Sequence, residues 1–583
     1  MEKIKPNRHT AKFRTIKILQ LINCLWLLIG PSLSQAKTNI TLHIHGLDGQ
    51  LLKEANTNLQ TRLSLVEKIT PQAIENFCIE TTGELSNLLK FHGYHQGKVI
   101  NIIPKKVKSG WQIFFLITKG IPVKIKFLDL KIIGEGKNDP LLISKLTKIP
   151  LKIGSILKIA DYYNAKHFLF DLANKYGYPR ATMAIQKIII NSERDAASIT
   201  LHLNTQKRCY FGTTILNNNF FSQKFLLKFI NYHRGELYSN IKLQNLETSM
   251  ANSAFFQRTE VIPHLNNTYP NIPIEIKVEP KKSRQSNFSI GYGTDTGIRT
   301  ALELWRGYLT NGYHQFKLTT KLSEPRKNLE LHYLIPGNPP TTDMYNLRFS
   351  NDSLNFSKGN SVNATLGIDY TTLIKNWQQT FGINFQHEHY TMLDQPRIIS
   401  NLILTNLHWF RNQKDDLINP RRGYNFDINL IGATKYTLSS SSFMQLLFRA
   451  KFIYPLSSNN TAIFNSALGF TAIDDISQLP LSLQFYTGGS QSIRGFSYNS
   501  IGPGTNLVFG SFTLRRKIAK DFYLEAFFDL GNVHNNSLAK PNQSIGCGIV
   551  WKSIIGSIEL TYAKAISKPR SPTMIQFSLG PEL

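Results

Sequence analysis

Few residues in this 583-residue chain are spaced for bond chemistry. His387-Glu388-His389 puts two histidines on one face of a strand, the beginning of a metal chelate. No third ligand motif lies near them, and zinc sites use three or four protein ligands. Two luminal polar side chains are therefore the expectation. The chain has no Gly-x-Ser-x-Gly elbow and no phosphate loop. Its four cysteines, Cys24, Cys78, Cys209 and Cys547, are too few and too far apart for a disulfide scaffold or a zinc array. Cys78, four residues after Ile74 on an apparent helix face, reads as small core filler. What stands out is one cation in a glycine frame, Gly488-Gly489-Ser490-Gln491-Ser492-Ile493-Arg494-Gly495-Phe496. Such a segment makes a tight turn presenting Arg494, and an arginine held inside a protein takes a carboxylate. The candidate is Asp529 in Phe527-Phe528-Asp529-Leu530-Gly531, which shares strand parity with Glu525 and opposes Leu524, Ala526 and Phe528. These residues point to no enzyme, cofactor or catalytic metal.

The elements that must position this pair are strands. After residue 286 helical periodicity disappears, and runs such as Asn328-Leu329-Glu330-Leu331-His332-Tyr333 and Ser557-Ile558-Glu559-Leu560-Thr561-Tyr562 alternate polar with apolar residues. About sixteen such runs fit between Asn287 and Leu579, the even number expected of a transmembrane barrel with a lipid-facing exterior and a polar lumen. A soluble sandwich would leave too much aromatic surface in water. Residues 475–505, between two of these strands, form a connection far longer than a hairpin turn and therefore a functional one. No apolar stretch after residue 36 is long enough for a membrane-spanning helix, so a membrane passage has to be a closed barrel.

Residues 1–36 read as a cleavable secretory signal: Lys3, Lys5, Arg8, Lys12, Arg14 and Lys17, an apolar run from Ile18 to Gly30, then Ser34-Gln35-Ala36. From Lys37 to about Arg284 a strand, two helices and two strands recur three times, over 37–120, 121–205 and 206–285. Thr70-Pro71 and Asp139-Pro140 are helix starts, a capping side chain followed by a first-turn proline, and Ser239 is the cap in the third copy. Gly93-Tyr94 and Gly177-Tyr178 are the matching helix ends, with Phe255-Phe256 in the third copy. A spacing this long means tandem domains. With no nucleophile or phosphate loop in them, these domains are expected to bind extended polypeptide at their sheet edges. The net charge is +29, of which residues 37–285 carry +16 and the barrel segment +8. Contact with anionic headgroups or an acidic partner is one consequence and a generally lysine-rich proteome is the other.

Taken together, the Gly-Gly-x-x-x-Ile-Arg-Gly-Phe loop, the Phe-x-Asp-x-Gly strand and Asp415-Asp416-Leu417-Ile418-Asn419-Pro420-Arg421-Arg422-Gly423-Tyr424 resemble the BamA/TamA superfamily of outer-membrane assembly barrels. Three repeats, Gly291-Tyr292-Gly293-Thr294-Asp295-Thr296-Gly297-Ile298-Arg299 and the end Gly580-Pro581-Glu582-Leu583 resemble its TamA (translocation and assembly module subunit) branch. The resemblance implies three periplasmic polypeptide-transport-associated (POTRA) domains, a sixteen-stranded outer-membrane barrel, help in inserting or secreting autotransporters and other barrel proteins, and a TamB-like inner-membrane-anchored partner. It also implies that Arg494 packs against Asp529 in the lumen. Relatives carry an acidic residue on the strand after the loop, where this chain reads Gly510-Ser511-Phe512-Thr513, so a second carboxylate for Arg494 is left open.

A mechanism without bond chemistry follows from the barrel's ends. The first strand, Phe288 to Thr294 with Ile290, Gly291 and Gly293, has to pair with the last, Ile575, Phe577, Leu579 and Gly580. Glycine and the following proline weaken both strands, so this seam is expected to open for substrate strands, and cysteines at 290 and 577 are expected to lock it. Two alternatives remain: a two-partner secretion exporter, which would show two repeats and an N-terminal plug helix, and a passive porin, which would need neither repeats nor the long loop.

Overall fold

The computed structural model describes residues 40–580, apart from 67–68, 108–109, 192, 194, 266–269, 357–358, 393–395, 417–419, 536–539 and 554–555. The signal segment, part of the Asp415–Tyr424 motif and the terminal Pro581-Glu582-Leu583 lie outside the described residues.

Three small domains come first, each a strand, two helices and two strands. In the first, Ile40–His45 runs parallel to Gly110–Thr118, which pairs antiparallel with Lys98–Val107, so the last strand is central. Lys124–Ile133, Ala196–Asn204 and Thr182–Asn191 repeat that order, and so do Tyr210–Asn217, Asn271–Pro280 and Phe256–Pro263. The helices cover one face of each sheet because their apolar residues recur at helical spacing: Ile74, Phe77, Leu85 and Leu89 bury from Pro71–Phe91, and Ala165, Leu169, Leu172 and Ala173 from Ile159–Lys175. Thr70 accepts a bond from Ala73 N at 3.1 Å and Asp139 one from Leu141 N at 3.0 Å. Ser239 stands at the cap of Asn240–Ala251 but makes no side-chain bond there, so that expectation is corrected: its extended backbone, φ −146°, does not aim the hydroxyl at the first turn.

The domains join by a repeated device. Gly93 and Gly177 end their helices at φ +89° and +94°, the left-handed region open to glycine. Each carbonyl then accepts from the next domain, Gly93 from Val123 N at 2.8 Å and Gly177 from Cys209 N at 2.7 Å. A Cβ on Gly93 would lie 2.5 Å from Leu157 O, so the glycine is also a close-approach residue. Behind the second junction Asp139, nearly buried, takes Arg208 Nη2 at 2.7 Å and the Tyr178 hydroxyl at 3.1 Å, and burial pushes that hydroxyl up to about 12. Asp139→Ala strands the arginine and uncaps Pro140–Leu146. A loss of about 3 kcal/mol is expected, the low end for a broken buried pair because Arg208 is partly solvated. Faster hydrogen exchange over residues 140–146 in the full-length protein is the readout; unchanged protection would count against it.

Residues 284–580 close a sixteen-stranded antiparallel barrel, each strand beside its sequence neighbour and the last, Thr573–Gly580, beside the first, Arg284–Gly293. Its polarity is inverted relative to a soluble protein. Phe349, Ile368, Phe385 and Phe512 stand exposed outside, while Glu388, Glu525, Asp529 and Gln576 are buried inside. That arrangement suits an exterior of hydrocarbon. No helix among the described residues is long and apolar enough to cross a membrane.

Candidate functional site: the inward loop and the barrel seam

Between Asn460–Ala472 and Asn506–Lys517 the chain folds back into the lumen instead of turning directly. A short ribbon, Phe485–Thr487 with Ile501–Gly504, stiffens it. Glu388 on the wall accepts from Ser482 N at 3.0 Å and from its hydroxyl at 2.5 Å, and Phe356 stacks on Tyr486 with ring centroids 4.4 Å apart. Gly488, Gly489 and Gly495 hold φ of +107°, +109° and +84°, and Gly488 N donates to Ser492 Oγ at 2.9 Å, closing the turn. Ile493 and Phe496 flank the arginine and are buried with Leu507, Phe509 and Val533 of the wall.

The turn delivers Arg494 to Asp529, whose side chain is fully buried. Asp529 Oδ2 accepts from Arg494 Nε at 2.9 Å and its backbone N at 3.0 Å, and Oδ1 accepts from Nη2 at 2.7 Å. This two-pronged fork is the strong form of a charge pair. Nη2 also donates to Ser511 and Thr513 hydroxyls, both at 3.0 Å, and Ser511 donates onward to Asp529 at 2.7 Å. The guanidinium carbon lies 3.4 Å from the Phe527 ring centre. The second carboxylate left open by the sequence is Glu525, 3.7 Å from Arg494 Nη1 on the same strand as Asp529. Glu525 is shared with Arg515, 3.0 Å away, and Arg515 reaches Glu559 at 3.4 Å. Ser511 and Thr513 thus supply hydroxyls where an acid was missing. The sequence signal for Phe527 and Glu525 was there, since both share the parity of Asp529.

The seam is slighter than the sequence implied. Among the described residues the first and last strands meet in two pairs, Tyr292 with Leu579 and Gly293 with Ser578. Another neighbouring contact, second strand with third, has seven, and the longest has sixteen. Thr294 N donates to Phe577 O at 3.0 Å and Phe577 N to the Thr294 hydroxyl at 3.2 Å. Among the described residues Phe288 and Ile290 pair only with the second strand and are 69% and 65% exposed, and Ile575 pairs only with the strand before it. Gly580 likewise pairs with Ser557 alone. A Cβ on Gly291 would sit 2.6 Å from Leu579 O, so the backbones approach closely there. The expected lock at 290 and 577 is corrected: the register puts 577 opposite 294, because the first strand is displaced along the last. Arg299, on the second strand, donates to Leu579 O at 3.2 Å and to Tyr292 O at 3.3 Å.

The loop touches both sides of this seam. Ser490 N donates to Asp295 Oδ2 at 2.8 Å in the turn after the first strand, and Gly495 N to Gln576 Oε1 at 3.4 Å on the last. Asp295 belongs to the first-strand motif without any loop contact being legible there, and Gln576 has no signal at all, because turn residues and luminal amides carry no periodic pattern.

The histidine expectation is corrected. Gln386, Glu388 and Tyr390 face the loop, so His387 and His389 share the outer face with Phe385. His387 Nδ1 lies 2.6 Å from Asn401 Oδ1, and the two Nε2 atoms are 2.9 Å apart. Among the described residues no group of three or more histidine, cysteine or acidic side chains could hold a metal.

Residues 311–582 match the Omp85 superfamily domain. The outer membrane protein assembly factor BamA of Neisseria meningitidis serogroup B is 20% identical over 487 residues, 69% of this chain and 60% of BamA, so the chain matches less than two thirds of that relative's length. Among solved structures, BamA from Haemophilus ducreyi lacking POTRA domains 1-3 superposes with a TM-score of 0.62 at 17% identity, covering 78% of this chain and 99% of that one. CdiB from Acinetobacter baumannii gives 0.48 at 11%, covering 78% and 89%. With this domain match over the barrel segment, the sixteen closed strands and three small domains resembling POTRA domains, the chain has the Omp85 fold, that of outer-membrane barrels with N-terminal domains in the periplasm.

Proposed function

We propose that this protein is an assembly and translocation factor that inserts or secretes autotransporters and other outer-membrane barrels by lending them the edge of its own first strand. The observation that carries the reading is the seam: among the described residues, 284–291 of the first strand have a partner on one side only, beside a contact of two residue pairs. Unpaired strand edges in hydrocarbon are costly, and an incoming substrate strand relieves that cost. Templating of this kind breaks no covalent bond and uses no nucleotide, so the protein is not an enzyme. The N-terminal sheets, with Lys98–Val107 and Thr182–Asn191 as edge strands, hold the unfolded chain on the periplasmic side. Within the superfamily we assign the TamA type, with a TamB-like inner-membrane-anchored partner on the same domains. The support is the three-repeat organisation together with the first-strand and terminal sequences.

The test is insertion of an unfolded outer-membrane barrel protein into liposomes carrying the full-length protein, followed by the heat-dependent gel shift of the folded product. Accelerated insertion over empty liposomes is expected. Large stable single-channel currents with no acceleration would identify a porin, and release of a soluble passenger across the bilayer without barrel insertion an exporter. Affinity capture with the full chain from envelope membranes tests the partner; recovery of no long inner-membrane-anchored protein would remove the TamB-like assignment.

A further inference from the structure

The barrel's first periplasmic turn, residues 307–314, enters the core of the third N-terminal domain. Tyr313 is 8% exposed and belongs to that domain's buried cluster, its ring 4.3 Å from Phe225 and 5.1 Å from Phe221. Its hydroxyl accepts from Ser222 N at 2.5 Å. Tyr308 donates to Phe255 O at 2.6 Å, with Lys281 O at 3.1 Å, and its ring meets Phe220 edge-on at 4.9 Å. Burial pushes the Tyr308 hydroxyl up to about 12, so it keeps its proton. Both tyrosines sit at positive φ, 60° and 58°, a conformation bulky residues adopt only when their surroundings dictate it.

The junction is a variant of the two before it. Gly93 O and Gly177 O each accept from the next domain's entering strand, and Phe255 O accepts in the same way from Lys281 N at 2.9 Å. Here alone a second donor, Tyr308, comes from the barrel, and Gly307 N adds a bond to Ser283 O at 2.9 Å. Both attachments of the domain, the covalent one at residues 280–284 and this aromatic clasp, fall on the first two hairpins. The described hydrogen bonds and ring contacts between domain and barrel all run to that turn.

We propose that the third domain and barrel strands Arg284–Gly293, Gly297–Arg306 and Gln315–Leu322 move as one body, with Tyr308 and Tyr313 as the positioning residues that join them. The value of the coupling rests on the assembly reading above. Rotation of the domain then acts on the one strand held to its other neighbour by two residue pairs, so a polypeptide bound in the periplasm is coupled to the seam. The far side of the seam, Thr573–Gly580, stays with the rest of the barrel.

Spin labels test this in the full-length protein in nanodiscs, in a background with the native cysteines replaced. One label goes at Gln244, exposed on the third domain, and the second at either Ile298 on the second barrel strand or Ile575 on the last. The expected result is a narrow 244–298 distance distribution and a broader 244–575 one. In the Tyr308→Ala/Tyr313→Ala variant the 244–298 distribution widens to match; Tyr308→Phe, which keeps the ring and drops the hydroxyl bonds, falls between. Heat-dependent gel mobility verifies that each barrel has formed. A 244–298 distribution already as broad as 244–575, or one unchanged by the double variant, overturns the proposal. Loss of liposome insertion in the double variant, with the parent active, supports the coupling to function. A parent inactive in insertion but showing the narrow distribution sinks the assembly reading and leaves the rigid body standing.

Discussion

Arg494→Ala is expected to leave the barrel folded in the outer membrane while freeing the inward loop and sharply reducing substrate insertion. The substitution removes the Nε and Nη2 donors from Asp529, a carboxylate with no solvent to replace them. Asp529 keeps the backbone N of residue 494 and the Ser511 hydroxyl, so the cost belongs at the low end for a broken buried pair, about 3 kcal/mol. At roughly 1.4 kcal/mol per tenfold, the loop-released population rises about a hundredfold. The barrel ladder itself loses nothing, since the arginine contributes no strand pairing. Arg494→Lys keeps the charge but lacks the fork and the planar stack on Phe527, so an intermediate effect is expected. Protease nicking of residues 475–505 from outside the cell measures loop release, and liposome insertion measures function. Wild-type nicking with normal insertion in Arg494→Ala would show that the pair does not hold the loop.

The second large effect is expected from locking the seam. Tyr292 and Leu579 are register partners on the lipid-facing side, and paired antiparallel residues have Cα atoms about 4.5–5.5 Å apart, within disulfide reach. In a background without native cysteines, oxidised Tyr292→Cys/Leu579→Cys should abolish insertion, and reductant should restore it. Phe288→Cys/Leu302→Cys is the control, because it ties residues already joined by the ten-pair first hairpin. That bond should change nothing. Insertion by the oxidised seam variant at the parental rate would mean that substrate does not pass this way.

Much of this architecture is legible in the sequence. Alternation around Glu525 and Asp529 gave the luminal face, and the glycine frame around Arg494 gave the turn, because both are local patterns with a fixed period or a fixed backbone demand. Seam register was not legible: it depends on how far the first strand slides along the last as the barrel closes, which no local pattern records. Hence residue 577 opposes 294 rather than 290. The histidines lie on the outer face with Phe385, against the expectation that polar side chains point inward. The strand's inward face was already taken by Gln386, Glu388 and Tyr390, which contact the loop. Tyr308 and Tyr313 lie in a turn without periodicity, so their insertion into another domain's core had no one-dimensional signature.

Cross-linking of a stalled substrate tests the central claim, that substrate pairs with the open first-strand edge, more directly than any activity. A cysteine at Ile290, which among the described residues has a partner on one side only, is compared with one at Ile368, equally exposed to lipid but paired on both sides. The substrate carries single cysteines along its own terminal strand. The expected result is disulfides to position 290 at alternate substrate residues and none to 368. Equal capture at both positions, or capture by the periplasmic domains alone, would contradict strand templating at the seam.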